Sequence, residues 1–167
     1  MKKIFWWLLL LGTLTIFIFL SLGTLSDEMV IAAVNRLEPT PGEVIYRSQV
    51  KLDDQSGKVW QVVLFKQTSP THKSTINLRL VGFPGTAELI HPQPLKITST
   101  TGKVWTATDV FLDEAPAPTI GQYDFTEILS QLPQAPLTLA IPLPLAKSIN
   151  IYVPVSVVKE WRTLINS

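Results

Sequence analysis

From Ile4 to Leu25 the chain carries no charged side chain. As a helix rising about 1.5 Å per residue, this run of 22 residues spans roughly 33 Å, against a bilayer hydrocarbon core of about 30 Å. A helix of Leu, Ile, Phe and Trp on every face would have to be buried on every side in water, and the domain that remains is too small to surround it. Residues 4–25 are therefore expected to meet a membrane. Two readings fit. A cleaved signal has an apolar stretch of about 7–15 residues and then a small-x-small site, which Ser21-Leu22-Gly23 or Val30-Ile31-Ala32 can supply. The greater length of the run favours a retained anchor. Both give one topology: Lys2 and Lys3 stay cytoplasmic, and Asp27, Glu28 and the rest of the chain lie across the membrane. Trp6 and Trp7 fall near the cytoplasmic end, where indole rings suit the headgroup level.

Beyond this run the chain has room for one ordinary domain. With Lys2 and Lys3 set aside, twelve basic residues face 13 acidic ones, a net charge of −1. A near-neutral domain without a Lys/Arg cluster has no electrostatic reason to hold a polyanion, so no nucleic-acid partner is expected. The chain has no cysteine, which rules out disulfides, thiolate-zinc sites, a thiol nucleophile and a lipobox. It has no Asn-x-Ser/Thr sequon either.

Residues 26–42 read as a short helical or irregular linker, closed by Glu38-Pro39-Thr40-Pro41-Gly42, where proline removes amide donors. From Glu43 the hydropathy period becomes two: Val44, Tyr46, Ser48, Val50 and Leu52 share a face opposite Arg47, Gln49 and Lys51. Asp53–Gly57 is a hairpin loop. Lys58–Gln67, apolar on both faces, reads as a central strand, and Ser74–Val81 alternates cleanly. Short strands are expected at 87–90, 95–99, 103–111, 137–141 and 149–153. Leu112–Tyr123 reads as a long proline-bearing loop. A helix near 125–132, with Phe125, Ile128, Leu129 and Leu132 as its apolar stripe, would start at Asp124 with Glu127 completing a capping box and stop at Pro133, and the tail to Ile165 reads as a second helix. The expected fold is mainly β, a β-sandwich or flattened barrel of about eight short strands with two short helices, behind an N-terminal transmembrane or signal helix. The domain is expected over residues 43–167.

Two segments match at an offset of 45 residues without a gap. Glu43-Val44-Ile45, Val50-Lys51-Leu52 and Gly57-Lys58-Val59-Trp60 correspond to Glu88-Leu89-Ile90, Leu95-Lys96-Ile97 and Gly102-Lys103-Val104-Trp105. One hairpin unit used twice, or two converged hairpins, both explain the match. Either way Trp60 and Trp105 fall in related positions, as core residues or as the lining of a pocket.

No Gly-x-Ser-x-Gly elbow, phosphate loop or dinucleotide fingerprint occurs. His72 reads as a solvated loop residue and His91 as a turn residue; two isolated histidines do not make a metal site. Asp109, Asp113, Glu114 and Asp124 flank the long loop and could in principle form an acid–base pair, but a solvated loop with one helix cap is the preferred reading. No catalytic residue, cofactor or metal ligand is assigned. The loop itself is the better candidate, as a partner-binding surface carrying Phe111, Leu112, Asp113, Glu114, Ile120 and Tyr123.

The stretches Gly57–Lys66, Asn77–Gly85, His91–Leu95 and Val110–Pro118 resemble a cyanobacterial family carried behind an export signal, domain of unknown function 3122. The likeness runs from about Pro41 to Arg162. It implies a periplasmic or thylakoid-lumen location and supplies no activity. The expected role is a non-catalytic, membrane-tethered accessory or assembly module with a protein partner. An apolar-ligand carrier and a carboxylate-dependent hydrolase are the alternatives.

Overall fold

The computed structural model describes residues 34–40, 42–70, 72–85, 87–144 and 147–166. The expected membrane run 4–25 and the first part of the expected linker lie outside the described residues. Nine strands form two antiparallel sheets among those described. The first has the order β1 (Asn35–Thr40), β2 (Glu43–Asp53), β3 (Val59–Ser69), β4 (His72–Gly82), β7 (Ile120–Asp124). The second has the order β6 (Val104–Ala107), β5 (Leu95–Ser99), β8 (Leu137–Pro142), β9 (Ser148–Val153). Among the described residues one α-helix, α1 (Val155–Thr163), comes after β9.

Strict alternation makes the sheets, because successive side chains in a strand point to opposite faces. Ser48, Val50 and Leu52 of β2, Trp60, Val62 and Leu64 of β3, and Ile76, Leu78 and Leu80 of β4 are buried on the inner face. Leu95 and Ile97, Leu137, Leu139 and Ile141, and Ile149, Ile151 and Val153 answer from the second sheet. Both sets join one hydrophobic core, to which α1 adds Val157, Val158 and Trp161. Each Leu, Ile or Val so buried contributes about 1.5–3 kcal/mol. Pro154 starts α1, where a missing amide costs nothing, and its carbonyl accepts the amides of Val157 and Val158 at 3.1 and 3.2 Å. Trp161 meets Phe125 edge-on, with centroids 6.3 Å apart.

The repeat is visible in three dimensions. Leu52 pairs with Trp60 and Val50 with Val62; at the same offset, Ile97 pairs with Trp105 and Leu95 with Ala107. The turns match bond for bond. The amide of Asp54 donates to Lys58 O and that of Gly57 to Asp54 O, as Ser99 does to Lys103 O and Gly102 to Ser99 O. Gly57 and Gly102 hold φ of 74° and 82°, where a side chain would be strained. Among their differences, one lies at the polar residue that opens each turn. Asp54 accepts the Trp60 indole N–H at 3.0 Å and the Ser56 and Lys58 amides at 2.7 and 3.1 Å. Burial pushes its carboxyl up, but the Trp60 N–H, the Lys58 and Ser56 amides and the Lys58 charge together hold it below the ordinary carboxylate value. Ser99 is shorter. It accepts the Lys103 amide at 3.2 Å, and the buried Trp105 Nε1 has no hydrogen-bond partner among the described residues. Lys103 instead lies over the Trp105 ring, 4.9 Å from its centroid.

Several expectations are corrected. The linker reading of 26–42 fails over Asn35–Thr40, which pairs with β2 as an edge strand. Residues 87–90 form no strand, since Leu89 donates to Pro118 O instead of to a ladder. The strand expected to reach Phe111 ends at Ala107. Of the helix expected near 125–132 only a 3₁₀ turn exists, Leu129–Gln131. Phe125, Leu129 and Leu132 are buried as that spacing implied, but Asp124 closes a two-residue turn onto the Thr126 amide at 2.8 Å rather than capping a helix. The loop reading of Leu112–Tyr123 stops at Ile120, where β7 begins and pairs with β4.

Candidate functional site

The segment between β6 and β7 is held at its base by a buried ion pair. His91 Nδ1 lies 2.7 Å from Asp109 Oδ2, and the two side chains are 7% and 2% exposed. His91 Nε2 faces Ile120 O at 3.1 Å; a carbonyl only accepts, so Nε2 carries a hydrogen. Asp109 also accepts the Gln93 amide on Oδ2 at 3.1 Å and the Phe111 amide on Oδ1 at 3.0 Å. A carboxyl taking two backbone amides is arranged as an anion. One ring nitrogen thus faces the carboxylate and the other faces the chain. With all of these atoms engaged, the pair clamps three segments, around 91–93, 109–111 and 120, rather than presenting a base.

The surrounding chain repeats the theme. Val110 N donates to Gln122 O at 2.8 Å, Asp124 N to Thr108 O at 2.9 Å, and Ile120 N to Ala117 O at 3.0 Å. Leu89 N and Gly82 N reach Pro118 O and Thr119 O at 2.8 and 2.9 Å. Phe111 stands edge-on to the His91 ring, 5.6 Å between centroids. Tyr123 is fully buried beneath, and its hydroxyl has no hydrogen-bond partner among the described residues. Burial, and secondarily the Asp109 charge, push its phenol well above the ordinary value of 10.0. Gly121 makes room for this ring: a Cβ there would stand 2.8 Å from the Tyr123 hydroxyl and 3.0 Å from Leu89 Cδ1.

Of the expected loop residues, Phe111, Leu112, Asp113 and Glu114 do share one loop. Leu112 is 70% exposed and Val110 41%, with Asp113 and Glu114 in solvent and Phe111 half-buried. Tyr123 leaves the candidate surface because it faces the core, while Ile120 is half-buried at the start of β7. Sequence reasoning missed the His91–Asp109 pair. Eighteen residues separate the two, and only the fold brings them together. The four carboxylates do not converge: Asp109 is spent on His91, Asp113 and Glu114 point outward, and Asp124 holds Thr126. Among the described residues no three His, Asp or Glu gather as a metal site would need.

The carrier alternative placed a pocket around Trp60 and Trp105, yet both side chains belong to the core, 0% and 8% exposed. A cavity of about 460 Å³ opens beside Lys96 and Lys147, and one of about 440 Å³ on the outer face of the first sheet; neither is lined by a tryptophan.

No curated protein and no solved structure matches the chain. A family model described as Protein of unknown function (DUF3122) matches residues 32–164, which takes in both sheets, the His91–Asp109 clamp and nearly all of the C-terminal helical segment, and the chain belongs to that family.

Proposed function

We propose that the chain is a non-catalytic, membrane-tethered accessory or assembly module on the periplasmic or thylakoid-lumen side of a cyanobacterial membrane, acting through protein–protein contacts made by the β6–β7 loop. The observation that carries the reading is an apolar tip on a fixed base. Leu112 is exposed over 70% of its surface, while Asp109 and Val110 just before it are tied to His91, Gln93 and Gln122. A contact surface already held in one conformation loses little entropy on binding, which favours affinity. Exposed Leu on such a loop has no role in the core. The uncharged run Ile4–Leu25 supports the tether, and the near-neutral domain suits a protein partner better than a polyanion.

The test is affinity purification of the tagged full chain from detergent-solubilised native membranes, beside Leu112→Asp. A partner that copurifies reproducibly with the parent and is lost from the variant supports the reading. Recovery of the chain alone in both cases refutes it.

A further inference from the structure

The first sheet turns one face to the core, and its other face carries a basin of about 440 Å³ that no described residue covers. Arg47 and Gln49 from β2, Gln61 from β3 and Arg79 from β4 stand in it, and no carboxylate lines it. The Arg79 guanidinium lies over the Phe65 ring, 5.5 Å from its centroid, steadied by bonds of 2.9 and 2.6 Å from its Nε and Nη2 to Gln122 Oε1. Phe65 is also the cross-strand partner of Arg47. Two cations therefore flank one aromatic ring with no anion lining the basin between them. Arg47 Nε is buried and has no hydrogen-bond partner among the described residues. A buried donor left without an acceptor is unfavourable, and an incoming oxyanion would satisfy it. Beside the cations lie half-buried Ile45, Val63 and Val81, and Leu37 of the edge strand, 42% exposed.

We propose that this basin binds the phosphate of an anionic phospholipid, with Arg47 and Arg79 on the phosphate oxygens and the apolar residues against the glycerol and the upper acyl chain. The assignment to lipid rests on the tether proposed above. Nine residues, 26–34, separate Leu25 from β1, a reach of at most about 30 Å, and β1 is the strand that contributes Leu37 to the basin. Tethering at that distance gives the lipid headgroups a high effective concentration that a soluble acidic partner lacks. Guanidinium groups suit phosphate because their planar donors match two oxygens at once.

The chain lacks cysteine, so Thr75→Cys, exposed on the same face, takes a single environment-sensitive label. The labelled full chain, in nonionic micelles, is titrated with dihexanoyl phosphatidylglycerol and, separately, with dihexanoyl phosphatidylcholine. A saturable response to the anionic lipid alone is expected, and Arg47→Gln and Arg79→Gln should each weaken it about fivefold. Equal responses to both lipids, or an undiminished response in the double variant, would overturn the site. Saturable binding of polyglutamate with none of phosphatidylglycerol would give the basin to an acidic protein and overturn the lipid assignment. The titration does not depend on the tether, which cell fractionation of the untagged chain tests separately. A chain that stays soluble in cells yet binds the lipid in micelles would sink the tether and support the basin.

Discussion

Asp54→Ser gives the first hairpin the residue that the second carries at the same turn position, and the structure sets its cost. Serine at this position keeps part of the turn, because Ser99 accepts the Lys103 amide at 3.2 Å where Asp54 accepts that of Lys58. The Ser56 amide belongs to an exposed residue and can turn to water. The Trp60 indole cannot: it is fully buried and Asp54 Oδ2 is its acceptor. A hydrogen bond to a charged group contributes about 1.5–3 kcal/mol and a stranded buried donor costs about 1–3, so the variant should lose about 2–3 kcal/mol at neutral pH. The effect carries a pH signature. The Asp54 carboxyl is held below its ordinary value in the folded chain, whereas in the unfolded chain it titrates near about 3.9. Its contribution is therefore full above that value and disappears as pH falls through the lower folded one. Urea unfolding of the full chain in micelles, followed by tryptophan emission, should show a constant gap between parent and variant down to about pH 5 and a closing gap below about pH 4. The reverse change, Ser99→Asp, offers the orphaned Trp105 N–H an acceptor and should stabilise by about 1 kcal/mol. A loss smaller than about 0.5 kcal/mol in Asp54→Ser, within the range of ordinary surface changes, would refute the assignment of the indole bond. So would a gap that persists unchanged in acid.

Gly121→Ala places a methyl group 2.8 Å from the Tyr123 hydroxyl and 3.0 Å from its Cε2 atom, so calorimetry should show a loss of about 1–3 kcal/mol. Asp109→Asn leaves His91 buried against a neutral partner, and breaking a buried pair in this way should cost about 3–5 kcal/mol in urea titrations, more than any other single polar change in the loop. Tyr123→Phe removes a hydroxyl that has no partner and should be neutral or slightly stabilising at pH 7. Because burial raises that phenol above 10.0, its neutral form is the one the fold accepts. Stability is thus unaffected below pH 10 and declines above it, and the variant's alkaline unfolding curve should fall less steeply.

The sheets were legible where alternation runs long. β2, β3 and β4 each have 11 residues, and the apolar set at 60, 62 and 64 or 76, 78 and 80 leaves one pattern to read. The 45-residue repeat predicted two hairpins, and both have the same register. Short elements were harder. β7 offers five residues, one of them Gly121, behind Pro116 and Pro118, and its pairing with β4 is a tertiary fact that local sequence does not carry. The spacing of Phe125, Leu129 and Leu132 marked burial correctly, but a turn and a 3₁₀ segment satisfy it as well as a helix does. Pro39 hid β1, because an edge strand can dispense with one amide where an inner strand cannot. For the candidate loop, exposure at Leu112 was foreseen, but the means of holding the loop was not. His91 has no local pattern that distinguishes it from any other turn histidine, and its partner is supplied by chain packing alone.

The paired hairpins also bear on how quickly the chain can find its fold. Leu52 meets Trp60, and Ile97 meets Trp105, across only a few intervening residues, so each hairpin can close locally in about 1–10 μs. Asn77 must find Asp124, and Asp54 must find Ile151, across far longer stretches of chain. Each sheet thus has its own early nucleus, and the slow search that remains is the meeting of two partly formed halves, so substitutions in the Gly57 and Gly102 turns should act mainly on the rate of folding.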